Sequence, residues 1–319
     1  MFSDLVLVPA ERLARQLYWS WPGLRRWWRR HRGVSADSKR QQCRRDDLLR
    51  YLTAIGVNDG ALVMVHARTN GLEILDDVSR AQGNAITVAT VLLGDLMRLI
   101  GPTGTLVMPT HPKYQDDELE SGPKGNEITI YDPRHSPCGV GLVNELFWRT
   151  KGVKRSLFPF NTLAASGSLA DELLRDNLNE RKPSPHGIDS GYYRICQRNG
   201  LVVSVGIPLR DCLTIAHVVE EVRRDWQIGD FFMERRYRVI QDGVAKDWTV
   251  RLRRNEIAMF SYCRRKMGRD AVAEGVIHEG CVGSVRVDWA RAGDVFDFFM
   301  RKTAKRPYPY YGIWMLGRS

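Results

Sequence analysis

Apolar positions along the chain fall into two kinds of block. Short continuous runs at 61–65, 105–108 and 201–205 have the length and β-branched content of strands buried on both faces. Between them lie longer stretches with helical spacing. The first starts at Asp46 and Asp47, acidic in its opening turn, and stops at Gly56; the second spans 85–100 and stops at Gly101; two more cover about 139–150 and 169–178. Strand and helix alternating with short Gly and Pro punctuation predict an α/β fold, a layered mixed sheet with flanking helices. Residues 237–240, Gly243 and residues 248–250 read instead as a hairpin, a small antiparallel β addition toward the C-terminus. The apolar run at 86–93, interrupted by Thr87 and Thr90, falls far short of the ~20 residues that span a bilayer.

Composition narrows the class. With 319 residues, 43% of them hydrophobic and 27% charged, the chain can bury a large core, which excludes disorder as its dominant state. The six cysteines show no C-x-x-C pair and no recurring spacing, so neither a disulfide framework nor a zinc knuckle is written here. A reducing compartment is expected. The N-terminus carries Asp4 and Glu11 among its apolar residues, with its arginines late, the reverse of a secretory signal, so the expected location is the cytoplasm.

The net charge of +11 is unevenly spread. Residues 1–45 carry 11 basic and 3 acidic side chains, residues 46–230 carry 19 and 24, and residues 231–319 carry 18 and 10. Two domains of unlike character follow: a basic aromatic extension at 1–45 and an α/β domain at 46–319. Within the extension, residues 21–32 interleave Trp21, Trp27 and Trp28 with five arginines. Such a segment fits an anionic membrane surface, a helix packing its tryptophans on the body, or nucleic acid, and composition alone does not choose among them.

The chemistry concentrates after the strand at 201–205. Asp211 stands where a capping carboxylate would, and His217 and Glu220 are three apart, on one face of a helix. A carboxylate beside an imidazole is expected to raise its pKa and fix which nitrogen is free, which is how a general base is built. A lone H-x-x-E is also an ordinary surface helical pair. Cys212 lies five residues before His217, a spacing that places neither residue to activate the other. His66, His111, His135, His186 and His217 lack the short spacing of metal ligands, and no metal is expected. Gly101-Pro-Thr-Gly-Thr105 and Gly139-Val-Gly141 are not Walker or dinucleotide loops, which disfavours nucleotide hydrolysis and nicotinamide chemistry.

Seven ordered blocks together resemble the aminoglycoside 3-N-acetyltransferase family, acetyl-CoA-dependent enzymes distinct from the GCN5-type fold. The blocks are Val65-His66-Ala67-Arg68; Gly104-Thr-Leu-Val-Met-Pro-Thr110; Tyr131-Asp-Pro-Arg134 with Ser136-Pro137; Gly141-Leu-Val-Asn-Glu145-Leu-Phe-Trp-Arg149; Gly152-Val-Lys-Arg155-Ser156-Leu-Phe-Pro159; Ala164-Ala-Ser-Gly167; and Asp211, Thr214, His217 and Glu220 at the lettered positions of the family's D-x-x-T-x-x-H-x-x-E. Three departures stand out. Phe158 replaces a histidine, Arg68 replaces a serine, and Lys182-Pro-Ser-Pro185 keeps only the Ser-Pro of a G-x-G-S-P loop.

The resemblance implies direct acetyl transfer from acetyl-CoA to an amine of an amino sugar within a ternary complex, with His217 as general base, Glu220 orienting it and Asp211 beside them. It implies His66, Ala67, Arg68, Thr69, Arg155 and Ser156 on the cofactor side. Glu145, Asp189 and Thr214 fall on the acceptor side, joined by Asp116, which begins the acidic run Asp116, Asp117, Glu118 and Glu120 suited to a polycationic sugar. The implied acceptor is either an aminoglycoside, giving drug resistance, or a nucleotide- or lipid-linked amino sugar of surface-polysaccharide biosynthesis. The basic extension would suit the second, holding the enzyme at the inner membrane surface. No nucleic acid is expected as a partner, and a non-catalytic protein binding anionic polymers is the reading from another class.

Overall fold

A computed structural model describes residues 41–75, 85–114, 128–175, 178–179, 183–254 and 262–311, with residues 13, 21 and 257. The basic extension therefore lies almost wholly outside the described residues, as does the acidic run with Asp116. The folded body starts before the boundary drawn from charge. Gln41–Arg44 forms a strand (β1) that leads directly into helix Arg45–Ala54 (α1), whose Leu48 and Leu52 are buried. Strand β1 pairs in parallel with Leu72–Leu75 (β3), and Gln42 accepts a backbone bond from Ser284 near the other end of the chain.

The three apolar runs form the centre of one large sheet. Leu62–Ala67 (β2) pairs in parallel with Thr105–Pro109 (β4) on one side and with Leu201–Val205 (β8) on the other. Helix Ala85–Ile100 (α2) makes the crossover between β2 and β4. Thr129–Tyr131 (β5) and helix Leu142–Arg149 (α3) follow, then Lys154–Arg155 (β6) and Leu163–Gly167 (β7), which extend the sheet antiparallel beyond β4. Beyond β8 the chain adds Val285–Arg291 (β12) and then Cys281–Val282 (β11), both antiparallel. The sheet thus has seven strands in the order β11-β12-β8-β2-β4-β7-β6.

Side chains alternate across these strands, so each strand feeds two cores. Val63, Val65, Val203 and Val205 pack with α1, α2 and α3 on one face. Met64, Val107 and Val202 pack on the other with helices Ala170–Leu174 (α4), Gly191–Gln197 (α5), Leu209–Cys212 (α6), Val218–Val222 (α7), Arg264–Ala273 (α8) and Ala292–Thr303 (α9). The layered α/β architecture read from the sequence is present. The small addition is a second sheet around Tyr131, Phe158 and Tyr237. Phe232–Gln241 (β9) and Val244–Arg253 (β10) form the expected hairpin through Asp242 and Gly243, both at positive φ, the geometry of a two-residue turn. This sheet is mixed rather than purely antiparallel, because β5 joins β9 in parallel, Thr129 facing Tyr237.

Two sequence readings shift in detail. The helix expected over 169–178 is the short α4, and the helix expected to carry His217 and Glu220 is broken into α6, a 3₁₀ turn at Thr214–His217, and α7. All six cysteines are free thiols. Among the described residues no helix is long and apolar enough to cross a membrane.

Candidate active site

The carboxyl ends of the three parallel strands converge, because β2 lies between β4 and β8 and the chain leaves in opposite directions on its two sides. Crevices at such switch points are where α/β sheets bind ligands. Strand β2 ends at His66 and Ala67, β4 leads into Thr110 and His111, and β8 leads through Gly206 into α6 and the 3₁₀ turn. Gly206 is at φ +73, and a Cβ there would lie 2.4 Å from the carbonyl oxygen of Arg68. Only glycine lets the segment before His217 close on the loop after β2.

His217 ends the 3₁₀ turn and Glu220 sits in the first turn of α7, so the three-residue spacing brings both side chains to one side. The Nδ1 atom of His217 lies 3.3 and 3.2 Å from the two carboxylate oxygens of Glu220. Glu220 is fully buried, and His217 retains 20% side-chain exposure. Two residues the sequence reading did not find complete the pair. Arg253, at the end of β10, donates to Glu220 Oε2 at 3.0 Å, and the Tyr311 hydroxyl donates to Oε1 at 2.6 Å.

The expected rise in the His217 pKa does not occur. Burial, then the Arg253 guanidinium, push it down to about 4, and Glu220 pulls the other way without overcoming them. His217 is therefore neutral at pH 7, with Nδ1–H toward Glu220 and the Nε2 lone pair free to take a proton. Burial opposes the charge of Glu220, yet its interactions with His217, Arg253 and the Tyr311 hydroxyl together hold its carboxyl below the usual range. Tyr262 flanks the His217 ring, with centroids 5.6 Å apart.

The remaining residues singled out from the sequence divide sharply. His66 is buried at the end of β2, its Nε2 has no hydrogen-bond partner among the described residues, and burial lowers its pKa to about 4. Ala67 is half-buried, Arg68 exposed and Thr69 buried. Arg155, implied on the cofactor side, is tied into the protein itself. It donates to the carbonyls of Ser136 (2.5 Å) and Thr110 (2.7 Å) and to Thr110 Oγ1 (3.2 Å), and stacks 4.5 Å from the Trp148 ring. Ser156 is buried, and its hydroxyl accepts from the Phe158 amide. A carboxylate on Glu145 accepts from the Cys138 amide and Trp148 Nε1 and pairs with Arg149, which fixes the turn before α3. Both Arg155 and Glu145 are thus tied into the loop at 132–141.

Thr214 donates to the Cys212 carbonyl at 3.3 Å. Asp189 bonds to Asn179. Asp211 is exposed, and neither α6 nor the 3₁₀ turn receives a side-chain cap, so the capping role expected of it is not realised. Burial raises the Cys212 pKa far above that of an ordinary thiol, and its sulfur lies against the carbonyls of Pro208 and Leu209, which leaves it no nucleophilic role. Among the described residues no group of three or more His, Cys, Asp or Glu side chains is placed to hold a metal ion.

The aminoglycoside 3-N-acetyltransferase family profile matches residues 73–303. The chain is 28% identical over 202 residues to aminoglycoside N(3)-acetyltransferase IV of Salmonella sp, a match covering 63% of this chain and 66% of that enzyme. It is 28% identical over 272 residues to aminoglycoside N(3)-acetyltransferase VII of Streptomyces paromomycinus, covering 80% and 89%. The fold is shared with a solved structure of AAC-IIIb in binary complex with CoASH, at TM-score 0.65 and 20% identity, covering 85% of this chain and 98% of that one. With well over half its length matched by the family profile, the chain belongs to the aminoglycoside 3-N-acetyltransferase family, a family of acyltransferases.

Proposed function

We propose that this protein transfers the acetyl group of acetyl-CoA to an amine of an amino sugar, with His217 as general base. The observation that carries the reading is the His217 ring: its Nδ1 faces the buried Glu220 carboxylate at 3.2 Å, which leaves Nε2 as an acceptor at the partly exposed end of the pair. An ammonium is no nucleophile. His217 Nε2 takes one proton from the ammonium so that the amine nitrogen attacks the thioester carbonyl; the tetrahedral species collapses with cleavage of the C–S bond, and the second nitrogen proton passes to the departing CoA thiolate. Glu220, fixed by Arg253 and Tyr311, holds the imidazole in one tautomer and offsets the charge it acquires.

For the acetyl-CoA side, the loop from His66 to Thr69 fits best, since it ends the central strand beside the segment carrying His217 and presents Arg68 to solvent. Arg155 and Ser156 contribute by fixing the loop at 132–137 rather than by direct contact. An acceptor of aminoglycoside type accords with the names of the relatives. A nucleotide- or lipid-linked amino sugar is the second reading, favoured by the basic aromatic extension at 1–45 and by Phe158, which is buried in the small sheet where the family resemblance calls for a histidine. Thiol release from acetyl-CoA with a panel of aminoglycosides, nucleotide-linked amino sugars and buffer alone tests the proposal. Acceptor-dependent release is expected, and its substrate selects between the two readings. Release no faster than with buffer across the panel, by a folded protein, contradicts the activity.

A further inference from the structure

Beside the His217–Glu220 pair lies a second pair of the same composition that the proposed mechanism does not use. His186 and Glu221 are both fully buried, with His186 Nδ1 2.7 Å from Glu221 Oε1, and the His186 amide donates to Glu221 Oε2 at 2.6 Å. The two imidazoles lie 5.8 Å apart. One cation joins the pairs: Arg253 bonds Glu220 at 3.0 Å while its Nε lies 3.7 Å from Glu221.

The hydrogen bonds assign the state of His186. Asn161 presents Nδ2 to His186 Nε2 at 3.3 Å, and an amide nitrogen only donates, so Nε2 accepts and the ring carries its single proton on Nδ1, toward Glu221. His186 is then neutral. Arg253 is shared by the two carboxylates, so the negative charge of Glu221 offsets part of the guanidinium charge that opposes a proton arriving on His217. Without Glu221 the same proton would face the Arg253 charge with one buried carboxylate fewer to offset it, which is costly in a low-dielectric setting. Other groups face the cluster: Tyr262, Tyr308 and Tyr311 are phenols kept protonated by burial, His111 is neutral, and the Arg251 guanidinium on β10, stacked on Phe232, is a further cation that senses Glu221.

We propose that Glu221, held by neutral His186, is a positioning residue for the base: it takes up part of the Arg253 charge, so that Glu220 remains available to the protonated form of His217. The proposal rests on His217 being the base, but its test does not require turnover. In the full-length protein, ring NMR signals of His217 are followed through a pH titration in wild type and in Glu221→Gln. The proposal predicts a midpoint lower in the variant by at least about half a pH unit, because one compensating charge is lost at short range. An unchanged midpoint in the folded variant overturns it. In kinetics, the same variant is expected to lose about tenfold in kcat with the KM for acetyl-CoA within about twofold, since a weaker base slows proton transfer without touching cofactor binding.

A second measurement needs no variant at this buried carboxylate. The ¹⁵N shifts of His186 in the unmodified protein at pH 7 are predicted to be those of a neutral ring protonated on Nδ1. A doubly protonated ring overturns the proposal. Turnover retained by His217→Ala would instead refute the assigned base and leave these readings as they stand.

Discussion

At the scale of single residues, the proposed chemistry turns on a histidine kept neutral by its surroundings. Its pKa of about 4 sets the sign of the pH dependence. A base works only when unprotonated, so kcat/KM is expected to stay flat as pH falls through 6.5, where an unperturbed histidine would already be titrating, and to decline only as pH approaches the lower value. A kcat/KM profile with its acidic midpoint near 6.5 would show that burial and Arg253 do not act on His217 as described. His217 and Glu220 were legible in the sequence, because a three-residue spacing is a local geometric statement. Arg253 and Tyr311 were not, since they lie 33 and 91 residues from Glu220 and reach it only through the hairpin and the C-terminal segment. Arg155, placed on the cofactor side by the family resemblance, has bonds to the carbonyls of Thr110, Pro133 and Ser136 that only the folded chain reveals.

At the scale of elements, the three central strands, α1, α2 and α3 were readable because their apolar runs end at glycines or other breakers. The edge strands were not. β6 and β11 have two residues each, too few for any periodicity, and β5 becomes a strand only by pairing with residues about a hundred positions away. The break of the expected helix into α6, a 3₁₀ turn and α7 likewise carries no local signal, yet it places His217 at a helix junction. The close approach at Gly206 gives this scale its test. Gly206→Ala would set a methyl group 2.4 Å from the Arg68 carbonyl in a left-handed conformation, so urea denaturation should show a loss of about 1–3 kcal/mol. A variant as stable as wild type would mean that the loop after β2 and the segment after β8 do not meet as described.

At the scale of the whole molecule, buried neutral histidines accumulate around the convergent strand ends. His66, His111 and His217 all have pKa values depressed chiefly by burial, to about 4, 3 and 4. Between these values and 6.5 the unfolded chain binds protons that the folded one does not, so stability rises with pH across that window and is lost on acidification. Each such group is worth about 2 kcal/mol at pH 5 relative to pH 7.5. Thermal unfolding is therefore expected to show a markedly lower Tm at pH 5, with further loss at lower pH as Glu145, Glu220 and Glu221, whose carboxyls are held below their ordinary range, take up protons. A Tm constant from pH 7.5 to 5 would contradict this burial. The same scale explains why the layered fold was readable while the charge boundary at residue 45 missed the start of the body: β1 is polar, and it belongs to the fold through its pairing with β3 and its contacts near residue 284.

The most direct measurement is acceptor-dependent thiol release from acetyl-CoA by wild type and His217→Ala, with the variant shown to be folded by circular dichroism. General-base assistance of the usual size predicts kcat reduced about 10²- to 10⁴-fold with acetyl-CoA binding retained. Equal turnover by the two proteins would contradict the assignment of His217 as the base.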